Sequence, residues 1–265
     1  MDNEYFYALE SNKRSGIVKM HDAAIEFINI GCENTTFTTI AKKYGLEHTR
    51  FRKYLEKYYP QIKLKKDLYF DESVFDVIDT EEKAYWLGFM CADGTISSSP
   101  ENPEVKTEFK IELSLASKDL SHLEKFAAFI KYRKAIYCDD KRCRIFLNSE
   151  RMWKSLYKHG CIPQKTLKLQ FPILDQPLIR HFIRGYWDGD GCLTWCNKEH
   201  TYPEISVIST EDVLLNILSF LKLESKIFIN PSTYEFNPLT KKFHMYSHKA
   251  FIACYKLYEN SNIYL

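Results

Sequence analysis

A short apolar helical pattern that runs into Asp-Gly occurs twice in this chain, 97 residues apart. The first copy is Trp86-Leu87-Gly88-Phe89-Met90-Cys91-Ala92-Asp93-Gly94, and the second is Ile183-Arg184-Gly185-Tyr186-Trp187-Asp188-Gly189-Asp190-Gly191. Each carries small residues four apart, Gly88 with Ala92 and Gly185 with Gly189. Positions i and i+4 share one face of a helix, so each copy offers a smooth strip that a second backbone can approach closely. Two such strips packed together put Asp93 and Asp190 side by side at the end of the pair, a cage for divalent cations. An Asp at a helix C-terminus meets the negative end of the macrodipole, which costs roughly 0.3–1 kcal/mol unless a cation is present. The plainer alternative is that Asp-Gly only makes a C-terminal turn with a left-handed glycine. That accounts for one copy, but not for two with matching small-residue spacing.

Around each motif the chain repeats one plan. Thr80–Ala92 reads as a helix with a hydroxyl cap and acids in its first turn. A strand over 95–99, a polar loop with Pro100 and Pro103, and an alternating strand over Glu108–Leu115 follow. Then come a helix over Ser117–Tyr132, a hairpin of 135–139 with 142–148, and a helix over Glu150–Lys158. The second pass gives a helix at 179–187, strands at 192–197 and 204–209, a helix at 210–223, strands at 226–230 and 243–246, and a helix at 249–258. Leu156-Tyr157 before Cys161-Ile162 is echoed by Leu257-Tyr258 before Asn262-Ile263. The fold class expected is α+β, two tandem αββαββα repeats over 71–170 and 171–265.

Residues 1–70 read as a small all-α domain plus linker. An amphipathic helix over His21–Ile30 precedes Thr38-Thr39-Ile40-Ala41-Lys42-Lys43-Tyr44-Gly45-Leu46 and a second helix from His48, with Pro60 and the charged stretch 63–66 as linker. The small Ala41, with Gly45 four later, suits a helix-turn-helix, and the following helix offers Arg50, Arg52 and Lys53 to phosphates and guanine edges. The net charge of +2 hides a strong segregation: residues 36–66 hold nine Lys/Arg against two acids, 131–168 hold eleven against three, and 71–104 hold nine acids against one lysine. Two basic stretches flanking an acidic one fit a nucleic-acid protein with a metal site between them. The eight cysteines form no CxxC pair, so free thiols in an intracellular, reducing compartment are expected rather than zinc or disulfides. No apolar run reaches the length of a membrane span, and Met1-Asp2-Asn3-Glu4 does not read as a signal peptide.

With both motifs, their spacing and the repeat in hand, residues 71–265 resemble a LAGLIDADG homing endonuclease of the single-chain, double-motif kind, with the helix-turn-helix as an accessory domain. The second motif is the closer match; the first carries Cys91 where the family pattern has Asp. The resemblance implies that the motif helices, through Gly88, Ala92, Gly185 and Gly189, form the interface of two pseudo-symmetric halves whose sheets make a saddle on double-stranded DNA. It implies Asp93 and Asp190 as metal-binding catalytic carboxylates for Mg²⁺, with Ca²⁺ or Mn²⁺ as substitutes, and a staggered double-strand cut by a monomer. Lys165, in Cys161-Ile162-Pro163-Gln164-Lys165, resembles the family's active-site lysine. Its counterpart in the second repeat falls one residue past Leu265, leaving Lys241, Lys242 or Lys249 as substitutes or the two half-sites unequal. The wet face of the strands, with Lys110, Glu112, Arg142 and Arg144, would read the DNA. Asp188, Trp86, Tyr186 and Trp187 are expected to serve packing rather than chemistry, and general-base roles are not expected of His244 and His248. The start at Met1 and the absence of a C-terminal His-Asn fit a free-standing or intron-encoded enzyme better than an intein. Two rival readings remain: a non-cleaving DNA-binding regulator, and a maturase that binds intron RNA.

Overall fold

The structure is a computed structural model that describes residues 11–31, 35–62, 69–98, 108–195, 199, 203–222, 227–229 and 240–265. The proline-containing loop at 100–103, the charged stretch 63–66 and the outer ends of the strands expected at 95–99, 192–197 and 226–230 lie outside them. The chain divides into two compact units, Met1–Leu68 and Tyr69–Leu265.

In the first unit, α1 (Ser11–Ile30), α2 (Phe37–Lys43) and α3 (His48–Tyr58) surround one core of Met20, Ala23, Ala24, Phe27, Phe37, Ile40, Ala41, Phe51 and Leu55. Helix α1 begins ten residues before the amphipathic stretch read from the sequence. Thr36 Oγ1 caps α2 by accepting from Thr39 N, and the Glu47 carboxylate caps α3 by accepting from Thr49 N and Arg50 N at 2.9 and 2.7 Å. Gly45 turns the chain between them at φ +62°, where an L side chain is strained. Ala41 is buried, which lets the helices cross closely. Arg50, Arg52 and Lys53 stand on the exposed face of α3, with Arg52 paired to Glu56 at 2.8 Å.

The second unit runs through its plan twice. The first pass is α4 (Glu81–Ala92), β1 (Gly94–Ser98), β2 (Phe109–Ala116), α5 (Leu120–Phe129), β3 (Tyr137–Cys138), β4 (Arg142–Asn148) and α6 (Glu150–Lys158). The second is α7 (Gln176–Asp190), β5 (Gly191–Trp195), β6 (Pro203–Thr210), α8 (Glu211–Leu221), β7 (Ile227–Ile229), β8 (Thr240–Tyr246) and α9 (Ser247–Tyr258). Each pass builds an antiparallel four-stranded sheet of the same order, β1-β2-β4-β3 and β5-β6-β8-β7. The fold is therefore α+β with two αββαββα repeats. The alternation expected of a half-wet strand is clear in β2 and β4, where Ile111, Leu113, Leu115, Ile145 and Leu147 face helices α5 and α6. In the second repeat Ile205, Val207, Phe243 and Met245 do the same beneath α8 and α9.

One expectation is corrected here. Cys138 and Cys143 lie directly opposite each other in the β3–β4 register and are joined by a disulfide. Sequence spacing alone does not show this, because it depends on the Asp139–Lys141 turn, where Asp139 Oδ1 accepts from both Lys141 N and Arg142 N and closes the hairpin tightly. The reducing compartment inferred from free cysteines thus loses that support. Cys91, Cys161, Cys192 and Cys254 are thiols. No helix among the described residues is long and apolar enough to cross a membrane.

Candidate active site

Past its first turn α4 is buried almost all round, as a helix with apolar residues on every face must be, while α7 is buried through its middle. Thr80 caps α4, and Ala84 through Cys91 are buried, while α7 starts after Asp175 with Pro177 in its first turn and buries Phe182 through Trp187. Their backbones touch at the small residues. A Cβ on Gly88 would stand 2.0 Å from the Phe182 carbonyl oxygen, one on Gly185 1.9 Å from the Tyr85 carbonyl oxygen, and one on Gly189 2.4 Å from the Ala92 Cβ. These three contacts run in step along both helices, so α4 and α7 descend in parallel and end together.

At that end Asp93 is the C-cap of α4 and Asp190 the last residue of α7. Each is followed by a glycine, though not for the reason a C-terminal turn suggests. Gly191 has φ −80°, and Gly94 is not among the residues of positive φ. What excludes a side chain is space. A Cβ on Gly94 would stand 2.5 Å from Met90 Cε, and one on Gly191 2.4 Å from the Trp187 carbonyl oxygen, because the chain turns from helix into strand on top of the preceding helical turn.

Asp93 and Asp190 open onto solvent, yet the surrounding protein desolvates both carboxylates. For Asp93 that desolvation, followed by the charge of Asp190, pushes the pKa up to about 6, while Lys165 opposes the shift. Desolvation also raises Asp190, against a hydrogen bond from Tyr186 and the charge of Lys165. Two neighbouring carboxylates that burial makes costly to ionise mark a place where positive charge is favourable.

Lys165 reaches this place by a built route. Helix α6 ends in a Schellman turn, with Cys161 N donating to the Leu156 carbonyl and Gly160 at φ +92°. Cys161 is buried and its Sγ meets the Met90 carbonyl at 3.5 Å. Gln164 then adopts φ +53° and throws the chain into a short 3-10 turn, Lys165–Leu167, from which Lys165 Nζ donates to the Gly94 carbonyl. So the structure gathers Asp93, Asp190 and Lys165, and places Gly88, Ala92, Gly185 and Gly189 between the helices.

Beside Asp93 is a cleft of about 440 Å³ lined by Thr95, Glu112, Ser114, Leu115, Ala116, Lys141 and Arg142. It continues along the wet face of the first sheet, where Thr95, Glu112 and Phe146 stand in one cross-strand row and Ser114 stands opposite Arg144. Arg144 lies 4.9 Å from the Tyr137 ring centroid and 3.5 Å from Asp139, and Lys110 pairs with Glu108 at 2.8 Å. The second sheet's face is less basic, with His244 against Glu204 and Tyr246. Lys241, one of the substitutes considered for a second lysine, is paired with Glu211 at 2.7 Å. Trp86, Tyr186 and Trp187 are buried in the core. Sequence reading missed a polar role for Tyr186. Its hydroxyl bonds both the Asp190 carboxylate and Ser209 Oγ, the latter at 2.8 Å. The i−4 spacing of Tyr186 to Asp190 was the available signal.

No protein-family model and no curated protein matches the chain. In fold it is similar to LAGLIDADG homing endonucleases. I-GzeII in complex with its DNA target is 11% identical with a TM-score of 0.45, covering 66% of this chain and 84% of that one. I-LtrWI bound to target DNA is 12% identical at a TM-score of 0.43, over 67% and 80%. The meganuclease I-CpaMI bound to uncleaved DNA is 10% identical at 0.44, over 70% and 87%.

The raised Asp93 pKa has a consequence for stability. A carboxylate easier to protonate in the folded than in the unfolded chain contributes stability that is present below its usual range near pH 4 and is lost as pH rises through about 6. Buried His122 and His181 and half-buried His159, whose pKa values desolvation pushes down, act in the opposite direction. The contribution of Asp93 is therefore read by difference: as pH rises from 5 to 7, metal-free wild type is expected to lose melting temperature relative to Asp93→Asn. Melting curves of both proteins across this range in chelator check it, and parallel slopes would refute it.

Proposed function

We propose that this chain is a site-specific, metal-dependent DNA endonuclease of the LAGLIDADG kind, cutting both strands of a long duplex target with a stagger as a monomer. The observation that carries the reading is the pairing of Asp93 and Asp190 at the joint end of two closely packed helices, with Lys165 beside them. Among the described residues no group of three or more His, Cys, Asp and Glu gathers as a metal-binding cluster. A pair of carboxylates nonetheless suits Mg²⁺, which keeps several waters and takes its other ligands from phosphate. The donors are hard oxygens, burial desolvates both carboxylates and Asp93 also feels the charge of Asp190, so a cation would relieve both and the residues fit the ion. Bound there, a divalent cation would activate water and neutralise charge on the attacked phosphate and the leaving oxygen.

The residues of the chain supply the rest. Asp93 and Asp190 would hold the divalent cation, each fixed at the end of one of two closely packed helices. Tyr186 keeps the Asp190 carboxylate oriented. Lys165, held against the Gly94 carbonyl, places a positive charge where the phosphate of the cut strand would lie. Lys110, Arg142 and Arg144 on the open sheet, with Glu112 and Ser114 between them, supply phosphate and base-edge contacts in the groove. Arg50, Arg52 and Lys53 of the first unit extend the contacted site. The packing of the catalytic end between the two repeats makes a second copy of the chain unnecessary.

The test is cleavage of a complex DNA library by the purified protein in Mg²⁺, with sequencing of the new ends and EDTA as control. Recurrent staggered ends at one long sequence, absent with EDTA, are expected. Retained DNA without cleavage would favour a regulator, and retained RNA a maturase. On the recovered target, deleting residues 1–68 is expected to weaken binding by about 10-fold or more and to lower its salt dependence, as lost phosphate contacts do. The cut position should be unchanged, and loss of all cleavage by well-folded truncated protein would overturn that role for the first unit.

A further inference from the structure

Asp188, two residues before the metal-binding position of α7, faces away from that site and collects three donors. Tyr85 of α4 donates to its Oδ2 at 2.7 Å, Tyr258 of α9 donates to Oδ1, and Leu265 N donates to Oδ2 at 2.9 Å. The Tyr85 hydroxyl also meets His122 Nε2 of α5 at 3.0 Å. The same stretch of chain is held along its length: Arg180 donates to the Glu259 carbonyl, Arg184 to those of Ile263 and Leu257 at 3.1 and 3.4 Å, and Lys125 to that of Tyr264 at 3.0 Å. Lys125 also lies 5.4 Å from the Tyr264 ring centroid. Lys125 belongs to the first repeat and Arg184 to the second, so residues 262–265 bridge the two halves.

The first half does the corresponding job differently. In the two motifs Cys91 occupies the position of Asp188, and in the repeat alignment Cys161 occupies that of Asn262. Cys161 Sγ donates to the Met90 carbonyl at 3.5 Å, next to Cys91 in α4, and the segment so seated carries Lys165 to the site four residues later. Each motif helix thus grips the chain that follows the last helix of its repeat. In the second repeat the grip is a carboxylate with three donors, a stronger and more directional contact than a thiol on a carbonyl.

We propose that Asp188 is a positioning residue for the second half of the site. It seats residues 262–265 at the foot of α7 and ties them to α4 through Tyr85, as the contact of Cys161 with the Met90 carbonyl seats the Lys165 segment at the foot of α4. The inference rests on the endonuclease reading for its effect on cleavage, and on the structure alone for the seating. The Asp188 carboxylate is engaged by protein donors from Tyr85, Tyr258 and Leu265. It acts by holding the second half in register with the first, so losing it slows turnover in one half rather than weakening binding.

The test uses full-length protein with Tyr258→Phe, which removes one hydroxyl and keeps the ring, and with Asp188→Asn. Hydrogen exchange of peptides spanning 259–265 reads the seating, and cleavage of supercoiled plasmid carrying the library-derived target reads the function. Both variants are expected to speed exchange of these amides by about 10-fold. They should lower kcat by about 10-fold with KM within twofold, and accumulate nicked circle because one strand is cut more slowly than the other. Should Asp188→Asn fail to fold, Tyr258→Phe carries the test alone. Unchanged exchange would overturn the seating. Faster exchange with unchanged kcat and no nicked intermediate would overturn the positioning role. If wild-type protein cuts no DNA, the endonuclease reading fails, while the exchange data still decide the seating.

Discussion

Asp93→Asn and Asp190→Asn, made singly, are each expected to lower double-strand cleavage by at least about 100-fold, the loss that follows from several kcal/mol of transition-state charge stabilisation. Both changes keep volume and shape. The close backbone contacts are made by Gly88, Gly185 and Gly189; Asp93 borders only the last of these, and an isosteric Asn keeps that packing, so fold and DNA affinity should persist. Binding should even strengthen slightly in chelator, since each change removes a negative charge from the face that would meet phosphate. The two carboxylates belong to different halves, so a single substitution is also expected to leave some nicked product. Filter binding in chelator and plasmid cleavage in Mg²⁺ separate the two effects. Equal loss of binding and cleavage would make these aspartates structural, and undiminished cleavage would remove them from the chemistry.

The second large effect is steric. Gly88→Ala would put a methyl 2.0 Å from the Phe182 carbonyl oxygen and 2.8 Å from Tyr186 N, both backbone atoms, so no side chain can swing aside to relieve it. The helices must separate, losing contact along their length, and a cost of about 3 kcal/mol or more is expected. Gly185→Ala meets the Tyr85 backbone in the same way and should cost as much. Spreading the pair also draws Asp93 from Asp190, so the fraction that remains folded should cut slowly even at high Mg²⁺. Gly16→Ala in α1 is the control. Nothing lies within 4 Å of its Cβ, and a helical alanine there should be neutral or stabilising by about 0.5–1 kcal/mol. Thermal melts of the three proteins decide the matter. Similar melting temperatures for Gly88→Ala and wild type would mean that the helices do not approach as closely as described.

The repeat was legible because its periodicities are local. Alternation in 108–115 and the capping signal at Thr80 mark elements without reference to anything distant, and the same plan recurring twice fixes the αββαββα order. The ends of elements were less legible where a neighbour decides them. Helix α7 runs to Asp190, three residues past the apolar stretch read from sequence, because its last turn packs against α4 through Gly189. The helix expected over Ser117–Tyr132 begins instead as a 3-10 turn and ends at Phe129, and β3 is only two residues long.

The sequence by itself determined that two matched helices end in carboxylates, since small residues four apart and Asp-Gly are statements about one helix face and its end. It also located a lysine after the last helix of the first repeat. Only the tertiary structure decided that the carboxylates share one environment, because their raised pKa values come from protein brought together across 97 residues of chain. The same holds for Tyr186 with Ser209, for the Cys138–Cys143 disulfide, and for the grip of Asp188 on Tyr85, Tyr258 and Leu265. Each of these depends on which side chains the packed core leaves facing one another, and a pattern read along a single strand or helix carries no information about its distant partner.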